Sequence, residues 1–515
     1  MQPQAISQQR AAQFDTTQSC RQLLPPMATL APRPLLRGEI TFSEAKTEDV
    51  DILKQLTYVD AQSKFFNLLS GRRDDIKNIV ARHLRLSNAE TCSIPCVDEW
   101  LHGSFNVGLP VTINRRRDRP GQRVLIRFPL PYKVGESFRP GNADEKLRCE
   151  VATYAWVDEH CASVPTPHLW GFALSDGQTF TALEHLSLIT RCLHNIQRGI
   201  KHMLGYPVPS RYIPMHDLHE LGIGYLLTDF IENGRLPLPR IGSFTIDNNG
   251  FLSLANRPLT LELHQLENEG IPIDIPRNFT YSTTEQYVMD LLYCHRTRLA
   301  YQPNAIHSKI DGLEQISAMT VMETVFSHFF NRSLRHGPFA LTLTDVHLSN
   351  IFVDDEWHVT SMVDLEWACT RPLDMQHPPY WLTSQSVDAI DADAYDQMRQ
   401  EYMKIFDTEE TKLRPIGSAN DSFRWTENMR RGWESGNFWY CLALDNPTGV
   451  NGLLYNHIQP IFSRTHAEEA AFYKTMFRYW MPESWTFMNA KMEEQQRYDE
   501  RLRKFFEVPG TQSAH

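Results

Sequence analysis

The spacing of hydrophobic positions changes along the chain and divides it into segments with different predicted structures. Between residues 46 and 99, apolar residues recur at helical spacing, which predicts a helical preamble. The next segment contains two short runs rich in β-forming residues, Phe105–Ile113 and Arg123–Pro129, with an Arg/Asp/Pro/Gly stretch between them. This pattern predicts an antiparallel β-hairpin.

Helical periodicity returns at Lys146–Cys161, and two further apolar runs, Phe172–Leu174 and Gly224–Glu232, have the character of strands. The predicted order is therefore strand, strand, helix, strand, strand, followed by a mostly helical remainder. We expect an α+β fold with a small antiparallel sheet and one helix over residues 100–232, and a large, mostly helical region over residues 233–482.

The two ends of the chain differ from this middle part. Residues 1–45 are rich in Gln, Ala, Ser, Pro and Arg, which predicts a disordered leader; a mitochondrial transit peptide is the alternative. Residues 483–515 are polar and charged, which predicts a helix and tail with a solvated outer face rather than a partner-binding site.

Composition excludes several classes of protein. The 515 residues are 42% hydrophobic and carry a net charge of -11, so the chain has material for a core and is not disordered overall. No stretch approaches the ~20 consecutive apolar residues of a membrane helix, so we expect no membrane partner. The acidic balance argues against a nucleic-acid partner, and the local basic run between Arg115 and Arg123 is interpreted as a solvated loop.

The nine cysteines are scattered along the chain and indicate no disulfide framework. Cys92 and Cys96 have no second Cys or His pair at zinc spacing, so they are interpreted as ordinary reduced cysteines. A reducing, cytoplasmic location fits this usage, with mitochondria as the alternative if the leader is a transit peptide.

One segment carries a pattern with chemical meaning. Asp345 and Asn350 form D-x-x-x-x-N, the spacing of the kinase catalytic loop, and Asp364 follows a predicted hairpin made by Ile351–Val353 and Val359–Val363. Phosphoryl transfer needs a carboxylate near the attacking hydroxyl and oxygen ligands for Mg²⁺. The alternative interpretation is structural, with a capping Asp345, a turn at Asn350 and an N-cap at Asp364.

The sequence resembles the aminoglycoside phosphotransferase/choline kinase-like family of small-molecule kinases, in particular a large fungal branch, from about Trp100 to Trp480. The resemblance rests on five segments: Thr344–Asp354, Met362–Ala368, His377–Leu382, Gly242–Asp247 and Asn256–Leu259. It implies a two-lobed, protein-kinase-like fold, ATP and Mg²⁺ as cofactors, and a small-molecule acceptor as the partner.

The resemblance also implies roles for individual residues. Asp345 would be the catalytic base, and Asn350 and Asp364 would hold Mg²⁺. Arg127 would contact the nucleotide phosphates, with Glu150 as its ion-pair partner. The remaining residues of the implied nucleotide site are Gly103, Ser104 and Phe105 in a phosphate-covering turn and Asp229 and Ile231 at the adenine-binding hinge.

Each of these roles has a plainer alternative. An arginine on a strand is ordinarily a surface residue, and Thr228–Glu232 is equally compatible with an ordinary strand end. The chain also departs from the family, because Leu343 and Thr344 stand where most relatives have His-Gly before the catalytic aspartate. Thr342 or Thr344 is expected to supply a replacement hydrogen bond.

Three functions follow from these observations. The first is an ATP- and Mg²⁺-dependent phosphotransferase, an enzyme that phosphorylates a hydroxyl group of an unidentified small molecule. The second is a weakly active or inactive pseudokinase that binds a nucleotide or metabolite. A protein kinase is the third, although no Ala-Pro-Glu segment follows Asp364. Five aromatic residues are expected either to form the acceptor pocket or to pack in the core: Trp381, Trp433, Trp439, Tyr440 and His457.

Overall fold

The computed structural model describes most of the chain with internal gaps. The described residues are 30–86, 92–113, 123–160, 167–215, 221–228, 237–238, 240–356, 359–362, 364–412, 424–465 and 469–507. They form an α+β fold in which all strand pairs are antiparallel. No helix in these ranges is long and apolar enough to cross a bilayer.

The first part of the described chain is mostly helical. Its elements are β1 (Arg33–Pro34), β2 (Glu39–Ile40), α1 (Phe42–Ala45), α2 (Ile52–Gln55), α3 (Tyr58–Gly71) and α4 (Arg73–His83). The expected helical preamble is present as α2 to α4. The expected leader needs correction over residues 30–45, because β1 and β2 pair there and Thr41 and Glu44 form a capping box that starts α1.

A sheet of eight strands follows. Its elements, with two helices, are β3 (Cys92–Ser93), β4 (Leu101–His102), β5 (Asn106–Ile113), β6 (Arg123–Pro129), α5 (Asn142–His160), β7 (Leu169–Ala173), β8 (Thr179–Ala182), α6 (Leu188–Met203), β9 (Tyr212–Met215) and β10 (Tyr225–Thr228). The strand order is β3-β5-β6-β10-β7-β8-β9, and β4 also pairs with β5. The predicted β5–β6 hairpin is confirmed, with Gly108 opposite Arg127.

The expectation of one helix in this region was wrong. Three elements between β7 and β10, namely β8, α6 and β9, were not predicted. The two strands are four residues long, and α6 was overlooked although its apolar residues recur at helical spacing. Helix α5 was predicted, but it begins at Asn142 rather than Lys146.

The rest of the chain combines helices with short sheets. Its elements are β11 (Pro237–Leu238), β12 (Ser243–Ile246), β13 (Leu252–Asn256), α7 (Leu261–Asn268), α8 (Thr284–Tyr301), α9 (Lys309–Phe329), β14 (Phe339–Leu343), β15 (Ile351–Val353), β16 (Val359–Met362), β17 (Ala368–Pro372), α10 (Ala392–Lys412), α11 (Trp425–Glu434), α12 (Asn437–Leu444), α13 (Val450–Leu453), α14 (Gln459–Phe462), α15 (Ala470–Tyr479) and α16 (Ser484–Phe506). A π-helical turn, Leu454–Ile458, joins α13 to α14. The predicted hairpin is confirmed as β15 and β16, with Ile351 opposite Met362.

Apolar side chains collect in three main clusters. The largest lies among α8, α9, α12 and the helices after them. A second lies between the sheet and the preamble helices α3 and α4, and a third lies between α5, the sheet and the hairpin β12–β13. Helix α16 buries one side in a smaller cluster with β2, α1 and α2, so only its other side is the solvated face that the sequence predicted.

A buried ion network fastens α5 to the helical part of the chain. Arg257, in one of the segments that carry the family resemblance, is fully buried and contacts Glu145 of α5 and Glu267 of α7 at 2.8–2.9 Å. Glu145 also accepts from Arg277 at 2.9 Å. Although burial raises the pKa of a carboxyl, Arg257 holds that of Glu145 down to about 2, so this carboxylate stays ionised.

Candidate functional site

The D-x-x-x-x-N segment forms a tight loop between β14 and β15. Asn350 ends a 3-10 turn, and its side-chain amide donates to the backbone carbonyl of Asp345 at 2.8 Å. The Asp345 carboxylate lies 3.9 Å from the His347 imidazole. The amide of Asn350 therefore fixes the turn that presents Asp345.

Two further contacts fix the loop on either side of Asp345. The Thr344 hydroxyl donates to the carbonyl of Trp367 at 2.7 Å, and the Thr344 backbone N–H donates to the same oxygen at 3.1 Å. The indole N–H of Trp381 donates to the carbonyl of Val346. Thr344 therefore makes a hydrogen bond of the predicted kind. The Thr342 hydroxyl donates to the carbonyl of Ala340 in its own strand and accepts from the side-chain amide of Gln376 at 2.6 Å.

Asp364 is held in an unusual backbone conformation. Its φ angle is 61°, in the left-handed region, which costs a non-glycine residue about 1 kcal/mol or more. Such conformations persist when surrounding contacts determine them, and they concentrate at functional sites. Here the contact is an ion pair between the Asp364 carboxylate and the guanidinium of Arg127.

Arg127 lies in the middle of the sheet, on β6 between β5 and β10. Its side chain is only 10% exposed, which excludes the surface alternative. The guanidinium contacts Glu150 of α5 at 2.7 Å and Glu366 at 3.0 Å, in addition to Asp364. The planar guanidinium of Arg127 thus links the sheet to α5 and to the segment after β16.

Sequence reasoning missed three buried polar residues beside this cluster. Lys146 donates to the side-chain oxygen of Asn106 at 2.8 Å and lies 3.3 Å from Glu366 and 3.7 Å from Glu150. Asn106 donates to both carboxylate oxygens of Glu366, at 2.9 and 3.1 Å. The only sequence signal was the i,i+4 spacing of Lys146 and Glu150, which is common on solvated helix faces.

These groups surround one cavity of about 450 Å³. The predicted residues that line it are Gly103, Ser104, Phe105, Arg127, Asp345, Asn350 and Asp364. Glu150 lies behind Arg127, as its ion-pair partner. Asp229 and Ile231 lie outside the described residues, although Thr228, which precedes them, lines the cavity.

Charged side chains of both signs surround the cavity. Burial raises the pKa of Asp345 to about 6, and the nearby Asp364 adds to the shift, so Asp345 is mostly ionised at pH 7. Burial also raises the pKa of Glu366, to about 7, so this carboxyl is partly protonated at that pH. Asp364 and Glu150 supply the other acidic groups, and Arg127, Lys146 and Arg37 supply the basic ones.

The available donors fit Mg²⁺ in particular. The carboxylate of Asp364 and the amide oxygen of Asn350 are hard oxygen ligands, and Mg²⁺ usually takes one or two protein ligands of this kind beside phosphate and water. Among the residues that the structure describes, no group of three or more His, Cys, Asp or Glu side chains forms an all-protein metal site. A metal ion held by Asp364 and Asn350 would therefore need further oxygen ligands.

Of the five aromatic residues considered for an acceptor pocket, Trp381 alone lies against the loop. It borders a smaller recess of about 180 Å³ with Thr344, Val346 and Tyr380. Trp439 and Tyr440 are buried in the largest core cluster, where Trp433 packs against them and His457 stacks on Trp439 with ring centroids 3.7 Å apart. Core packing therefore accounts for those four.

The chain matches no protein-family model, no curated protein and no solved structure. Its function is therefore inferred from the geometry of this cavity.

Proposed function

We propose that this protein is an ATP- and Mg²⁺-dependent phosphotransferase that acts on a hydroxyl group of a small molecule. The observation that carries the proposal is one cavity that contains parts from distant segments of the chain. The turn at residues 103–105 and Arg127 border it on the side of the sheet. Asp345, Asn350 and Asp364 border it on the side of the catalytic-type loop.

The proposed architecture is two-lobed and protein-kinase-like. The sheet with α5 would be the nucleotide-covering lobe, and the helices after β11 would be the larger lobe. Support comes from the position of Arg127 and Glu150, because kinases pair a cation of a central strand with a glutamate of the following helix. Further support comes from β10, which adjoins β6 and ends in Thr228 at the cavity.

The proposed roles follow from the contacts. Asp345, ionised and presented by a fixed turn, would accept the proton of the acceptor hydroxyl. Arg127 would exchange part of its carboxylate contacts for nucleotide phosphate, which its planar fork suits. Asn350 and Asp364 would hold Mg²⁺, which neutralises phosphate charge when bound. Lys146 and Asn106 would position Glu366 and, through it, Arg127.

One observation favours a pseudokinase as the second candidate. The guanidinium of Arg127 forms an ion pair with the carboxylate of Asp364, the proposed metal ligand. Glu150 and Glu366 also bind this guanidinium and hold it in place. If this ion pair does not open, neither residue is available to a nucleotide with its metal. The protein would then keep the fold without transferring phosphate.

Mg²⁺-ATP binding and phosphoryl transfer to a panel of hydroxyl metabolites test both candidates. Wild-type protein would be compared with Asp364→Asn and with Asp355→Asn, a matched change of an exposed aspartate in the β15–β16 turn. The phosphotransferase predicts transfer that Asp364→Asn abolishes and Asp355→Asn preserves. Nucleotide binding with no transfer to any acceptor would favour a nucleotide-binding pseudokinase, and no nucleotide binding would refute the phosphotransferase.

A further inference from the structure

A second cavity lies beside the turn at residues 103–105. It has a volume of about 340 Å³ and shares Arg37, His102, Gly103 and Ser104 with the first cavity. Its other lining residues are Leu35, Leu36, Gln55, Tyr58, Gln62 and Lys133. The two cavities are therefore neighbours, with the turn between them.

Two cations face this second cavity. Arg37 belongs to the turn between β1 and β2, and Lys133 follows β6. The ammonium of Lys133 lies 4.3 Å from the centre of the Tyr58 ring. Burial lowers the pKa of Lys133, and the positive charge of Arg37 lowers it further, so the two cations are close enough to repel each other.

No negative charge offsets this repulsion within the cavity. None of the described residues that line it is acidic, and neither Arg37 nor Lys133 forms an ion pair with any described residue. This is unusual in a chain with a net charge of -11. Like charges held together without a counter-charge cost free energy, which a bound anion offsets.

We propose that Arg37 and Lys133 form an anion subsite that takes a phosphate or carboxylate group at the edge of the active-site cavity. This proposal rests on the proposed function, and it requires that the nucleotide or the acceptor place an anionic group at Arg37 and Lys133. The anion is either the terminal phosphate of the nucleotide or an acidic group on the acceptor. In both cases the β1–β2 turn supplies part of the site.

Binding of pyrophosphate, ADP and ATP to the full chain, measured by calorimetry, tests the subsite. Arg37→Ala and Lys133→Met would each weaken pyrophosphate binding about fivefold to tenfold, the worth of one charge-assisted contact. The matched controls are Arg497→Ala and Lys412→Met, which remove exposed cations far along the chain. Unchanged pyrophosphate affinity in both cavity variants, or equal losses in the controls, would overturn the proposal.

Comparison of the ligands separates the two sources of the anion. Weaker ATP binding with unchanged ADP binding identifies the terminal phosphate. Unchanged affinity for both nucleotides, with weaker binding of glycerol 3-phosphate than in wild type and no change for glycerol, identifies an acidic acceptor. If wild-type protein binds no ATP but binds pyrophosphate through Arg37 and Lys133, the subsite stands and the proposed function falls.

Helix α6 differs from an ordinary surface helix, because its apolar face points to solvent and its basic side chains contact the protein. Six apolar side chains on one face are 49–79% exposed: Leu188, Ile189, Leu193, Ile196, Ile200 and Met203. The opposite face contacts the body of the protein with basic side chains. Arg198 pairs with Glu159 at 3.0 Å, and Lys201 lies 4.6 Å from the centre of the Phe251 ring.

The residues that flank this face are uncharged, which limits the kind of partner that can cover it. At 100° per residue, the positions on either side of the apolar face are Thr190, Asn195 and Gln197, none of which is charged. Lipid headgroups favour basic side chains at these edges, whereas Arg198 and Lys201 contact the body of the protein. An uncharged rim lets the same face meet its own copy without repulsion.

We infer that α6 is a self-association surface, on which two copies of the chain pair their α6 helices about a two-fold axis. The spacing Ile189, Leu193, Ile196, Ile200 and Met203 alternates four and three residues, as in the seam of a helix pair. A helix of 16 residues is only about 24 Å long, so the buried area is small and the dimer is weak.

Sedimentation velocity between about 1 and 200 μM tests this interface. We expect a concentration-dependent dimer that Ile196→Glu abolishes and Ile405→Glu, the same change at an exposed isoleucine of α10, preserves. A monomer at every concentration would overturn the inference. So would a monomer that binds vesicles of phosphatidylcholine and phosphatidylserine and loses that binding in Ile196→Glu, since α6 would then be a membrane-binding helix.

Discussion

The guanidinium of Arg127 and the carboxylate of Asp364 form an ion pair across 237 positions of sequence. The same guanidinium also binds Glu150 and Glu366, so one side chain holds three carboxylates from two separate parts of the chain. The cavity proposed to bind nucleotide is organised around this contact.

Replacement of Arg127 is expected to destabilise the protein strongly. In Arg127→Met, buried Glu150 and Glu366 keep only Lys146 as a shared cation, which costs about 3–5 kcal/mol of unfolding free energy. Arg127→Lys keeps a charge but not the fork, and its loss is expected to be smaller. Urea unfolding measures both, with Arg430→Met as the control, because its exposed pair with Glu427 contributes less than about 1 kcal/mol. A loss in Arg127→Met no greater than in the control would contradict this account.

Replacement of Asp345 is expected to separate catalysis from binding. Asp345→Asn removes the proposed proton acceptor without changing the shape of the loop, since the bond from Asn350 goes to the backbone carbonyl of residue 345. We expect kcat to fall about 10²–10⁴-fold, while the Kd of Mg²⁺-ATP changes less than about threefold. Calorimetry and a transfer assay measure the two quantities. Asp355→Asn serves as the control, and full activity in Asp345→Asn would rule out the assigned role.

The hydroxyl of Thr344 is expected to matter for turnover. Thr344→Val removes its bond to the carbonyl of Trp367, whereas Thr344→Ser can keep it. Because the Thr344 backbone N–H still reaches the same oxygen, the loop should loosen rather than unfold. We expect kcat to fall about tenfold in Thr344→Val and to recover in Thr344→Ser, with nucleotide affinity unchanged in both. Equal effects of the two substitutions would show that the hydroxyl is not the cause.

Two buried histidines make stability depend on pH. Burial lowers the pKa of both His264 and His295 to about 4, below the ordinary value near 6.5, so the folded protein keeps them neutral. The unfolded chain takes up these protons as pH falls below 6.5, so the stability each contributes is complete above that value and is lost toward pH 4.

The free energy of unfolding should therefore fall by about 2 kcal/mol for each histidine when the pH is lowered from 7 to 5. Urea unfolding at the two values measures the loss. His295→Gln should reduce the pH dependence by about that amount, whereas the exposed His336→Gln should leave it unchanged. An unaltered pH dependence in His295→Gln would count against the assignment.

Tyr498 of α16 contacts the start of α2. Its buried hydroxyl accepts from the backbone N–H groups of Ile52, at 2.9 Å, and Leu53, at 3.4 Å, at the start of α2. Tyr498→Phe leaves these donors without an acceptor, which should cost about 1–3 kcal/mol. We expect faster proteolytic cleavage before residue 57 than in wild type and in Tyr479→Phe, whose ring is exposed. Identical cleavage rates would show that the contact does not fasten the amino-terminal segment.

Several elements were predicted from their local pattern. The alternation in β5 and β6, the helical spacing in α5 and the apolar runs of β15 and β16 were each sufficient. Helix α6 was missed although its apolar positions recur at helical spacing. Strands β8 and β9 are defined by pairing with their neighbours, and no local pattern specifies such pairing.

Candidate site residues with a recognisable spacing were predicted from the sequence. Residues whose role depends on being buried were missed. Asp345, Asn350 and Asp364 follow a pattern that can be read along the chain. Lys146 and Glu366 are charged residues that are normally exposed, and only the fold removes them from water. The ion pair between Asp364 and Arg127 likewise joins distant segments, and no local pattern predicts it.

The contact between α16 and the amino-terminal segment also affects the order of events during synthesis. The ribosome makes β1, β2, α1 and α2 first, but their shared apolar cluster needs Tyr498, Leu502 and Phe506. At usual elongation rates these side chains emerge roughly 20 to 90 seconds later. This segment is thus translated well before α16 but completes its packing only after it, and in that interval its apolar side chains remain uncovered.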